Sequence, residues 1–224
     1  MKHYPQSDCK HVWDASTEGW KPRTQYTCVR CGAVFRDMEH YLVELTEDLL
    51  VKSVLDVGTG KKGVVGEYYW AHYKDIKEGY MCDIWTLKEM PPLWTPLKMD
   101  ALDLYDVFGE KGVDVVQAFG FLEHLEREEA YQFLKTAEDI AAKLVIVSAA
   151  TCIHGVDEEC SDDPLYKVRL DGNPHHAYRS VWHWSEFEAL GYETNLRDKM
   201  EGKSFRTEAI AWKLEPGISL APLL

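Results

Sequence analysis

Three carboxylates sit where apolar, strand-like runs give way to turns: Asp56 in VLDVGTG (54–60), Asp83 in MCDIW (81–85) and Asp100 in MDALDL (99–104). The first run leads straight into Gly58-Thr59-Gly60-Lys61-Lys62-Gly63. Glycines after a strand let the backbone approach a ligand with no Cβ in the way, and open α/β sheets bind ligands at the carboxyl ends of their strands. The spacing fits G-x-G-x-x-G, so a nicotinamide dinucleotide is one reading; a tight strand-to-helix turn without a ligand is another. A P-loop is excluded, because Val64 follows Gly63 where that motif needs Lys and then Ser or Thr. Asp56 would repel a pyrophosphate and attract a cation. Asp83 is placed to accept both hydroxyls of a ribose, and Asp100 to accept from an adenine amine. Singly, each is an ordinary loop acid. Together with the glycine turn they describe a pocket for a nucleoside that carries positive charge.

A second set of reactive side chains lies near the start. Cys28-Val29-Arg30-Cys31-Gly32 is a C-x-x-C-G knuckle, and Cys9-Lys10-His11 is a further pair. Cys9, His11, Cys28 and Cys31 form a four-ligand set of the structural-zinc kind, with no open position for water. Residues 1–35 are too few to build a core unaided, so metal binding would supply their folding free energy; a set of free cysteines is the alternative. A redox C-x-x-C would need a strand-to-helix turn that this stretch lacks. Cys152, His154 and Cys160 lie among Asp157, Glu158, Glu159, Asp162 and Asp163, which read as a solvated acidic face rather than a second metal site.

These residues need elements to hold them. DMEHYLVELTEDLL (37–50) has helical spacing of its apolar positions, and 63–73 reads as another helix. VKSVLDV (51–57), GYMCDIW (79–85) and PLKMDA (96–101) read as three strands. VDVVQAF (113–119) and KLVIVSA (143–149) are near-continuous β-branched runs, suited to parallel strands buried on both faces. Between them, 127–142 has a strong helix pattern. Alternation of this kind predicts a doubly wound α/β sheet with right-handed crossovers. Residues 150–182 are long and irregular, as a lid or binding loop is. HWSEFEALG (183–191) predicts a short helix, and 192–198 with 207–215 a closing antiparallel hairpin.

Composition limits the partners. The chain has 224 residues, 46% apolar and 28% charged, an ordinary globular balance. Asp plus Glu number 38 against 25 Lys plus Arg, a formal charge of −13, which disfavours whole-surface attraction to nucleic acid. No apolar run is long enough to span a membrane, and the start has no apolar signal region. With few, clustered cysteines, a cytoplasmic location is expected.

The ordered set VLDVGTG, MCDIW, MDALDL, VDVVQAFGFLEHL (113–125) and KLVIVSAA (143–150) resembles the class I S-adenosylmethionine-dependent methyltransferases, in particular small members with an acid–His–Leu motif after the fourth strand. GNPHHAYRSVWHWSEFEALGYE (172–193) is similar to a segment that some members carry. The resemblance spans about residues 40–215. It implies a Rossmann-like seven-stranded sheet, mostly parallel with a C-terminal antiparallel hairpin, in a domain over 36–224; the residues themselves add 150–182 as a lid and 1–35 as an appended zinc ribbon. It further implies that Gly58 and Gly60 meet the cofactor through backbone. Asp56 would neighbour its methionine end, Asp83 the ribose and Asp100 the adenine, with Ala101 and Phe119 flanking. The acceptor would attack the S-methyl carbon in line. If it is a hydroxyl or a protonated amine a base is needed, and His124 is the first candidate, since an imidazole titrates near neutrality. His175 and His176, with Arg179, are the second. Trp182 and Trp184 read as core packing before pocket wall. A small-molecule or sugar-like hydroxyl acceptor fits the acidity and the long lid. A nucleic-acid or protein acceptor presented by the ribbon, a non-catalytic scaffold, and a nicotinamide-dependent oxidoreductase are the competing readings.

Overall fold

A computed structural model describes residues 25–27, 34–36, 49–59, 76–85, 94–151, 173–201 and 204–218. A short antiparallel pair, β1 (Gln25–Thr27) and β2 (Val34–Arg36), brackets residues 28–33. Seven strands then form one sheet: β3 (Ser53–Val57), β4 (Glu78–Cys82), β5 (Trp94–Leu97), β6 (Val113–Phe119), β7 (Ala141–Thr151), β8 (Glu193–Glu201) and β9 (Ser204–Leu214). Their order is β5-β4-β3-β6-β7-β9-β8. β3 to β7 pair in parallel, while β9 lies antiparallel between β7 and β8. The chain winds outward from β3 to one edge and then returns to β6 on the other side. The carboxyl ends of β3 and β6 therefore flank a topological switch point, where sheets of this kind bind ligands.

Burial on both faces explains the continuous apolar runs. Leu55, Val57, Val116, Ala118, Val145 and Val147 face one core. Val54, Val115, Phe119, Leu144 and Ile146 face the other. The first core is closed by α2 (Arg127–Ile140), whose Ala130, Phe133, Leu134, Ala137 and Ile140 recur at helical spacing and are all buried. Glu126 and Glu129 close a reciprocal capping box at its start, satisfying backbone donors that the first turn leaves free.

Element boundaries differ from the expectations at definite points. The second strand stops at Cys82 because the Asp83 carboxylate accepts from the backbone of Trp85 at 2.7 Å, a local turn that competes with the ladder. The third strand lies at Trp94–Leu97, earlier than expected; Asp100 instead caps a 3-10 turn, Ala101–Asp103, by accepting from Leu102 N at 3.0 Å. That turn leads into α1 (Leu104–Phe108), too short to show a helical period in sequence. The helix predicted to 142 ends at Ile140, because Ala141 pairs with Val113 and begins β7. The short helix is found as α3 (Trp184–Ala189), closed at Gly191 with φ +85°. The closing hairpin is present as β8–β9, longer than expected. The helices predicted at 63–73 and over most of 37–50, and most of the 150–182 segment, lie outside the described residues.

Candidate active site

The glycine turn is built by backbone constraint before any ligand is considered. Gly58 adopts φ +74°, and its N–H donates to the carbonyl of Cys82 at 2.9 Å, tying β3 to β4 at their carboxyl ends. A Cβ at this position would fall 2.5 Å from Cδ2 of Phe121. Glycine is thus required twice over, by the left-handed conformation and by the aromatic ring beside it.

Above this turn lies an open cleft of about 230 Å³. Gly58, Asp83, Asp100 and Ala101 line it. His124, His175, His176 and Arg179 line it as well. The structure therefore brings together residues spread over more than a hundred positions. Gly60 lies outside the described residues, as do Cys9, His11, Cys28 and Cys31, and Cys152, His154 and Cys160. Among the described residues no group of three or more His, Cys, Asp or Glu is placed to hold a metal.

Two predicted residues are displaced from the lining by the strand's two-residue period. Phe119 turns its ring into the second core, and the lining passes to Gly120 and Phe121. Asp56 is buried, 1% exposed, behind the cleft. It stands in register with Gln117 on β6, and its Oδ2 has no hydrogen-bond partner among the described residues. Burial raises its pKa to about 7; the Gln117 side chain offsets part of that, and the negative charge of Asp83 adds to it. The three acids meet electrostatically at Cys82, another lining residue. Its thiol is pushed up to about 12, first by burial and then by Asp83, Asp100 and Asp56. At neutral pH it is a protonated, unreactive wall.

Part of the lining comes from a segment that sequence reading left irregular. Its residues 173–182 are anchored at closely spaced points. The Asn173 carboxamide oxygen accepts from His175 N at 2.9 Å and caps a 3-10 turn, Pro174–His176. Arg179 N and Ser180 N both donate to the carbonyl of Glu123, at 2.7 and 3.2 Å. Ser180 Oγ donates to Leu122 O, and Trp182 Nε1 donates to Ser180 Oγ, each at 3.0 Å. Trp182 is fully buried and stacks on Phe187, which settles its role as core packing.

His124 ends the 3-10 turn Leu122–His124 that follows β6. Its Nδ1 lies 3.3 Å from the carbonyl of Ala177. A carbonyl only accepts, so this contact favours the tautomer with the proton on Nδ1 and the basic lone pair on Nε2. The rings of His176 and Tyr178 sit 5.6 and 5.1 Å from it. Sequence reasoning missed Cys82, Phe121, Glu129 and Asn173 on the lining. The Asn-Pro pair at 173–174 carried a capping signal for the last of these; the others had none.

No protein-family model matches the sequence, and no curated protein is similar to it. Its fold does recur among solved structures. An O-methyltransferase family protein from Burkholderia thailandensis matches with a TM-score of 0.54 and 15% identity over 78% of this chain. The small RNA methyltransferase HEN1 matches at 0.51 and 17% over 79% of this chain. A protein provisionally assigned as a methyltransferase from Bacillus halodurans C-125 matches at 0.52 and 15% over 79% of this chain and 97% of its own. This chain spans about half, 54%, of the first and 26% of the second. The seven-stranded mixed sheet is accordingly the Rossmann-like fold found in methyltransferases.

Proposed function

We propose that this chain transfers a methyl group from S-adenosylmethionine to a small-molecule acceptor. One observation carries the reading: Gly58, Asp83 and Asp100, at the carboxyl ends of three neighbouring strands beside the switch point, line one cleft. The residues fit the cofactor on the chain's own evidence. Asp83 and Asp100 each use an oxygen on a local backbone donor, and a carboxylate has further acceptor capacity for ribose hydroxyls and an adenine amine. Asp56 lies behind the lining, where its Oδ2, without a hydrogen-bond partner among the described residues, would attract the ligand's ammonium group through the cleft wall. Backbone at Gly58 would pass close beneath, and Ala101 would flank the base.

S-adenosylmethionine, when bound, supplies an electrophilic methyl on a sulfonium and leaves as the neutral thioether. The chain's own contribution is alignment and exclusion of water, an effect worth roughly 7–11 kcal/mol of barrier in well-oriented systems. With a hydroxyl acceptor, His124 Nε2 takes the O–H proton as the new C–O bond forms and the S–C bond breaks. His176, whose ring neighbours that of His124 on the lining, is the alternative base.

Calorimetry with S-adenosylhomocysteine and with NAD tests the assignment. S-adenosylhomocysteine binding with no NAD binding is the expected result; NAD binding would favour an oxidoreductase, and binding of neither a scaffold. Asp83→Ala is expected to weaken S-adenosylhomocysteine at least tenfold, about 1.4 kcal/mol; unchanged affinity removes Asp83 from the ribose.

The zinc ribbon belongs to the same proposal. The β1–β2 pair brackets the stretch that holds Cys28 and Cys31, the arrangement expected of a hairpin knuckle. Cys9 and His11 would complete the site. Elemental analysis of the full chain should find about one zinc per molecule, and a metal-free, folded protein would refute it.

A further inference from the structure

The cleft lining carries groups of opposite chemistry. Asp83, Asp100 and Glu129 suit a cation; His175, His176 and Arg179, contributed by the 173–179 segment, suit an anion. Arg179 is the permanently charged member of that segment's lining. Elsewhere Arg127 meets Glu186, Lys111 meets Glu215, Lys143 meets Asp114 and Lys213 meets Glu138. The Arg179 guanidinium, by contrast, has no ion-pair or hydrogen-bond partner among the described residues. Its backbone is nonetheless fixed, because its N–H donates to Glu123 O at 2.7 Å and the neighbouring Ser180 is buried and bonded to Leu122. An always-charged, planar fork held by a rigid main chain at a cleft wall, in a protein of net charge −13, is a recognition element for an oxyanion.

We infer that the acceptor substrate carries an oxyanion, a carboxylate or a phosphate monoester, which Arg179 grips with His175 and His176 in support. The inference rests on the methyl-transfer reading and gives it a substrate class. An anion held by the 173–179 segment lies beside His124, whose ring is 5.6 Å from that of His176.

The test uses the full chain saturated with S-adenosylhomocysteine, titrated with methyl phosphate, acetate and neutral methyl acetate. Binding is followed through the ring-proton resonances of His175 and His176. One of the two anions should bind and methyl acetate should not; methyl phosphate points to a phosphorylated acceptor and acetate to a carboxylate. R179Q should weaken that anion by at least about tenfold while leaving S-adenosylhomocysteine affinity within about twofold. R179K should recover part of the loss, since it keeps the charge without the fork. Arg179 is exposed, so both variants should melt as the parent does. Absence of binding by either anion, or equal binding by R179Q, overturns the inference. If S-adenosylhomocysteine itself does not bind, the methyl-transfer reading fails separately, and the same anion titrations on the free protein decide this wall by the same criteria.

Discussion

Asp56→Asn is expected to make the ligand-free protein more stable by about 4 kcal/mol near pH 8, and to leave it nearly unchanged near pH 3. The sign follows from where the proton sits. The folded chain holds the Asp56 proton up to about pH 7, because burial disfavours the carboxylate, whereas the unfolded chain releases it around the ordinary 3.8. Between those two values the unfolded state binds fewer protons, so stability falls as pH rises and the loss is complete above about 7. Asn has the same shape, cannot ionise and can still engage Gln117. Urea unfolding of both proteins from acid to mildly alkaline pH isolates the Asp56 contribution as the difference between two curves. Parallel curves would show that Asp56 is not a buried, reluctant acid. The same variant should bind S-adenosylhomocysteine at least about tenfold more weakly at the alkaline end, if the carboxylate serves the ligand's ammonium. Both results together would show Asp56 trading stability for function.

Trp182→Ala should destabilise the protein by about 3–5 kcal/mol, the range for emptying a buried large side chain. The indole stacks on Phe187 at 5.0 Å, meets Tyr131 edge-on at 5.5 Å, and lies beneath the Arg127 guanidinium at 4.9 Å. Its N–H also holds Ser180, the hydroxyl that pins the segment to Leu122. The loss should therefore be local as well as global. Amide hydrogen exchange should accelerate across 173–182 well before the strands β3, β6 and β7 are affected. Trp182→Phe, which keeps most of the packing and drops the hydrogen bond, should cost only about 1 kcal/mol. An Ala variant within about 1 kcal/mol of the parent, or with unaltered exchange in 173–182, would mean that the wall carrying His175, His176 and Arg179 is held by something else.

The parts legible in the sequence were those encoded over a few residues. The β-branched runs at 113–119 and 143–149 could only be buried strands, and both are. The amphipathic period of 127–140 and its acidic first turn specify α2. Gly58 was legible because a left-handed turn after a strand leaves few alternatives. The order of the acids along the chain placed Asp83 and Asp100 at successive strand ends, and they line one cleft. Where polar side chains compete with the ladder, local reading failed: Asp83 and Asp100 each bond the backbone two residues on, ending one strand early and shifting the next.

Tertiary structure decided what no short window contains. Asp56 and Asp83 look alike in sequence, yet one is buried with a raised pKa and the other lines the cleft, because strand period and neighbouring packing choose the face and the solvent. The fold alone set β9 between β7 and β8. It also turned an irregular stretch into a rigid wall, through the carbonyls of Leu122 and Glu123 more than fifty positions away. Sequence specifies elements through local periodicity and turn chemistry. Desolvation and the meeting of distant side chains depend on the summed field and packing of the whole fold, and those exist only once the chain has closed on itself.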